Sequence, residues 1–91
     1  MFSIRVELHY ASREDYVTLA ESLGRVGIVD TVVGDNGVRY KLPPAEYSYV
    51  GNATLNQVFE VARTAANSTG RTYAVVANEV LRRTWIGLAV A

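Results

Sequence analysis

One histidine and no cysteine leave this chain a short list of groups able to do chemistry. His9 stands two residues after Glu7 in an alternating segment. On a strand, residues i and i+2 share a face about 7 Å apart. Such a pair can act as general base and acid, or supply two metal ligands. A solvated strand face accounts for the same residues. No third ligand is visible in the sequence, so neither a metal nor a cofactor is expected. The absence of cysteine excludes a thiol nucleophile, a dithiol redox site, a thiolate zinc cluster and a disulfide framework.

The second group is basic. Eight of the nine cationic residues are arginine, the better fork for phosphate, and Lys41 is the ninth. A GC-rich genome would give the same bias. Their distribution says more than their number. Residues 1–46 hold five basic and seven acidic groups, residues 47–91 four and two, so a neutral chain has an acidic first half and a basic second. Arg71, Arg82 and Arg83 lie in the last third, and Arg82-Arg83-Thr84-Trp85 sets two guanidiniums beside the single tryptophan. Arg39 and Lys41 add two cations on one face of a predicted strand. Together Arg39, Lys41, Arg71, Arg82, Arg83 and Trp85 form a candidate phosphate-and-stacking set for RNA. A tryptophan packed into the core at a strand entry explains the last cluster equally well.

Positioning these groups requires a framework, and the pattern supplies one. Phe2, Ile4, Val6, Leu8 and Tyr10 alternate with Ser3, Arg5, Glu7 and His9, which predicts a strand with one buried face. Ser12 followed by Asp15 resembles a capping box, and Tyr16, Leu19, Ala20 and Leu23 form a helical stripe up to Gly24 and Gly27. Residues 28–33 and 38–42 read as strands around Gly34-Asp35-Asn36-Gly37, whose Asn-Gly step tolerates the positive φ of a tight hairpin. Pro43-Pro44 breaks any ladder, and residues 46–50 resume as an aromatic strand. Thr54-Leu55-Asn56-Gln57 is a T-x-x-Q capping box, followed by Leu55, Val58, Phe59, Ala62, Ala65 and Ala66 at helical spacing. Residues 72–77 predict a strand, and 84–90 another strand or an apolar tail. Tyr10, Tyr16 and Tyr40 fall in register with core positions.

Ninety-one residues with 49% hydrophobic and 20% charged content describe one globular domain, 1–91. The order predicts an α+β fold: a ferredoxin-like two-layer sandwich, βαββαβ, with room for an extra C-terminal strand. Its helices cover one sheet face, leaving Arg5, Glu7 and His9 on the other, where a homodimer or another partner can form through the face or an edge. No signal-peptide pattern or 20-residue apolar span is present, so the expected location is cytoplasmic, with no membrane partner. The RNP pattern of an RNA recognition motif and a P-loop are both missing.

The alternating strand ending in Leu8-His9-Tyr10, the capped first helix, the segment 28–37, Leu42-Pro43 with Tyr47, and the second helix together resemble GhoS-type antitoxins, over roughly residues 4–77. That resemblance implies a ferredoxin-like fold, a shape similar to the small CRISPR-adaptation nucleases, and endoribonuclease activity on a toxin messenger RNA. Two functional expectations result. The first is a metal-independent endoribonuclease in which His9 or Glu7 takes the 2′-OH proton while Arg39, Lys41, Arg82 and Arg83 hold phosphate. The second is a non-catalytic, dimeric module that binds RNA or a protein partner.

Overall fold

The computed structural model describes residues 1–91. Strand β1 (Phe2–Leu8) leads into helix α1 (Arg13–Gly24). Strands β2 (Thr31–Val33), β3 (Arg39–Lys41) and β4 (Glu46–Tyr49) follow, then α2 (Leu55–Asn67) and β5 (Tyr73–Glu79). The fold is α+β. β1 is the centre of an antiparallel sheet of order β4-β1-β5, and β2 and β3 form a separate hairpin.

The sheet follows ferredoxin-like order, with the fourth strand reduced to a remnant. Val29 bridges Ser48 by two backbone hydrogen bonds on the outer edge of β4, and the chain then leaves the sheet to build the hairpin. Both helices begin with the expected capping boxes. The Ser12 hydroxyl accepts from the Asp15 N–H while the Asp15 carboxylate accepts from the Ser12 N–H, and Thr54 and Gln57 repeat the exchange. Each box satisfies two helix-end donors that would otherwise lack a partner.

The core lies between one sheet face and the helices. Phe2, Ile4, Val6 and Leu8 from β1 meet Leu19 and Leu23 of α1, and Val58, Ala62, Ala65 and Ala66 of α2. The small alanine face lets α2 sit close to β5 and β1. No helix is long and apolar enough to cross a membrane.

Two expectations are corrected, and one open choice is resolved. Tyr10 is not in the core: β1 ends at Leu8, and Tyr10 turns the chain with φ 53° and is 97% exposed. Leu55, in the first turn of α2, is 38% exposed and outside the buried core, and Val58 is the first buried residue of that helix. Of the two readings of 84–90, strand or apolar tail, the tail holds: the segment forms no strand of the main sheet. Its end instead bridges β3, where Val90 pairs with Tyr40, the Lys41 N–H donates to Ala89 and the Ala91 N–H donates to Arg39.

Candidate functional site

Register fixes the composition of the sheet face opposite the helices. Residues directly across a ladder point to the same side. Ser3, Ser48 and Asn78 therefore form one row, Arg5, Glu46 and Val76 the next, and Glu7 and Ala74 the third. Arg5 lies between two carboxylates, 3.4 Å from Glu46 and 3.8 Å from Glu7. Only the Glu46 contact is a hydrogen bond; Glu7 stays half exposed beside Arg5. His9, one residue beyond β1, directs Nδ1 to the Thr72 hydroxyl at 3.3 Å, and no hydrogen bond joins it to Glu7. Nowhere do three or more His, Cys, Asp or Glu side chains gather as a metal-ligand cluster.

The other end of this face is covered. After β5 the chain turns back, with the Val80 N–H donating to Met1, and crosses toward the hairpin. Arg83 donates from Nη1 to the Ser48 hydroxyl at 3.0 Å, which explains how a serine becomes 97% buried on the polar side of the sheet. Trp85 packs on Tyr40 with ring centroids 5.8 Å apart. Tyr40 also accepts from the Asn36 amide, which in turn accepts the Val38 N–H within the hairpin turn. Gly34 makes this arrangement possible. A Cβ there would lie 3.1 Å from Tyr40 and 3.6 Å from Trp85.

Between hairpin, sheet edge and C-terminal segment lies an open cleft of about 700 Å³. Its charged and aromatic lining is Arg39, Arg83, Asp35 and Trp85, with Thr31 and Ser48 behind the two arginines. Arg39 donates to the Thr31 hydroxyl at 2.7 Å, so both guanidiniums are oriented by neutral hydroxyls; neither has a carboxylate within 4 Å, and Asp35 is the one acidic residue lining the cleft with them. That volume is in the range of small-molecule and nucleotide clefts. Two fixed guanidiniums next to an indole can hold a phosphate and stack a ring.

The structure brings together Arg39, Arg83 and Trp85 from the sequence-derived set. Lys41 is close by on β3 but ion-paired with Asp30, and Arg82 is exposed and unpaired. Arg71 is elsewhere. It binds Asp15 at 2.9 Å at the start of α1, separated from Arg83 by the whole length of β5, about 20 Å. Hydrogen bonds from Ser12, chiefly its backbone N–H, hold the Asp15 carboxyl below its usual pKa. Arg71 adds to that effect, so its role here is to anchor a helix end. His9 and Glu7 are also far from the cleft, toward the opposite end of β1.

Three residues of the site carry no sequence signal. Ser48 and Thr31 orient the arginines and Tyr40 supports the tryptophan, across separations of 35, 8 and 45 residues. The chain matches no protein-family model, no curated protein and no solved structure.

Proposed function

We propose that this is a small bacterial regulatory protein of the GhoS-type kind, cytoplasmic, which binds single-stranded RNA at the cleft. In this reading Arg39 and Arg83 hold backbone phosphate and Trp85 stacks on a base. The observation that carries it is the convergence of these three residues, from distant parts of the chain, on one cleft. The sheet order β4-β1-β5 with both helices on one face agrees with the resemblance and adds support for the fold alone. Binding is favoured over cleavage because Glu7 and His9 both lie away from the cleft and share no hydrogen bond with each other.

Trp85 is the only tryptophan, so its fluorescence reports on the cleft directly. Titration with single-stranded RNA oligonucleotides at low salt should quench it. Arg39→Ala and Arg83→Ala should each weaken binding roughly tenfold and lower the salt slope by about one. If no RNA quenches the tryptophan or shifts in a native gel at low salt, the RNA reading fails and a protein ligand takes its place. Incubating RNA with the protein in EDTA separates binding from catalysis. Cleavage that His9→Ala abolishes would make the protein a metal-independent endoribonuclease; intact RNA leaves it a binding module.

A further inference from the structure

The outer edge of β5 is the longest unpaired strand edge in the molecule. Parity within the ladder decides which groups it presents. The Val80 N–H donates to Met1, and the His9 N–H donates to Thr72, so even-numbered residues of this strand exchange hydrogen bonds with β1. The same alternation holds across β1, where the Val6 N–H donates to Ala45 on the β4 side. Tyr73, Val75, Ala77 and Glu79 therefore direct their N–H and C=O groups outward. No other segment hydrogen-bonds to them. The strand is seven residues, YAVVANE, with none of the usual edge protection: no proline, no lysine and no bulge. At its middle, Val76 is 55% exposed on the polar sheet face.

We infer that this edge pairs with the β5 edge of a second copy, in antiparallel register about a two-fold axis through Val76. Only a register that matches outward-facing residues with one another satisfies the free groups. Centring on Val76 does so, pairing Tyr73 with Glu79 and Val75 with Ala77 of the partner subunit. These four pairs exchange eight backbone hydrogen bonds and join two three-stranded sheets into one of six strands. Side chains are complementary in this register. Val76 meets its own copy at a non-hydrogen-bonded position, where side chains approach most closely. Glu79, which has no ion pair within its own protomer, faces the tyrosine end of the partner's strand. Arg63 of α2 also stands close to Tyr73, although its guanidinium is already paired with Glu60 at 2.7 Å, so the charge at that end is balanced within the protomer. A partner of this kind needs only the protein's own sequence. The cleft lies on the other side of the sheet's strand order, beyond β4, and stays open in the dimer.

The test is the oligomeric state together with cysteine cross-linking in this cysteine-free chain. Sedimentation of the wild type should give twice the 10.0 kDa protomer mass. Val76→Lys puts two like charges face to face and should raise the dissociation constant about 100-fold, with circular dichroism confirming an intact fold. Under mild oxidation Val76→Cys should form an intersubunit disulfide, because Cα atoms at a non-hydrogen-bonded pair lie about 4.5 Å apart, within disulfide reach. Ala74→Cys and Asn78→Cys should stay reduced, each being opposite the other position and not its own copy. A protomer that remains at 10.0 kDa at all concentrations overturns the inference and leaves the edge to a foreign strand. Equal cross-linking at positions 74, 76 and 78 overturns the register.

Discussion

The sheet-and-helix layer and the hairpin-and-tail layer are built from similar residues but held by different forces. In the first, twelve buried side chains form one continuous cluster, closed by two capping boxes and a seven-residue ladder between β1 and β5. In the second, Val32 is the only buried hydrophobic residue, and contact rests on the Tyr40–Trp85 pair, the Val90 bridge and two arginine–hydroxyl bonds. The first has the apolar burial that makes a domain fold; the second borrows stability from it. The cleft lies at the junction, with Ser48 contributed by the stable layer and Arg39, Arg83 and Trp85 by the adaptable one. A ligand that engages both would tighten the weaker layer without any change in the core.

The most severe break should come from the core. Leu19→Ala removes a fully buried side chain from the cluster it forms with residues of β1 and α2, and should cost about 2–5 kcal/mol in denaturant unfolding. A loss below about 1 kcal/mol would mean the helix layer carries less of the fold than its burial indicates. A smaller effect is expected from alkali, acting where β4 adjoins the Val29 remnant. Burial, reinforced by the Asp30 carboxylate, raises the Tyr47 phenol to about 12. The folded state favours the neutral phenol, so this contribution is complete below pH 10, the unfolded value, and is lost as pH rises from 10 to about 12. Tyr47→Phe should flatten the fall in melting temperature across that window; an unchanged profile would assign the alkaline loss to other groups.

The smallest global effect should follow Trp85→Ala. It should lower overall stability by about 1 kcal/mol or less, because the residue is outside the buried cluster. Locally it should act strongly. Exchange of the Lys41 amide, which donates to Ala89, should accelerate at least about tenfold while amides of β1 keep their rates. Equal acceleration in both layers would show that they unfold as one unit.

How much of this was legible in the sequence follows the range of the interactions. Ser12 with Asp15, Thr54 with Gln57, and Asn36-Gly37 act within four residues, so their types and spacing suffice to place two helix starts and a hairpin. The period of two in β1 was equally readable, but not its end. Alternation continues to Tyr10 in the sequence, whereas the chain turns there to enter α1, and a left-handed φ at Tyr10 takes the ring to solvent. Arg71, Arg82 and Arg83 share the last third of the chain, but closeness in sequence does not make them neighbours. β5 separates Arg71 from Arg83, and the fold gives Arg83 a neighbour 44 positions earlier, Arg39.

The sequence by itself determined the α+β class, the order of elements, both caps, and a chemistry confined to one histidine, carboxylates, tyrosines and arginines. Those properties depend on residue type and on contacts a few positions apart. Only the tertiary structure decided which arginines share a cleft, that Ser48 and Thr31 orient them, that Arg5 lies between Glu7 and Glu46, and which backbone groups of β5 face outward. Each of these depends on register between distant strands, which is fixed by burying one face of the sheet as a whole.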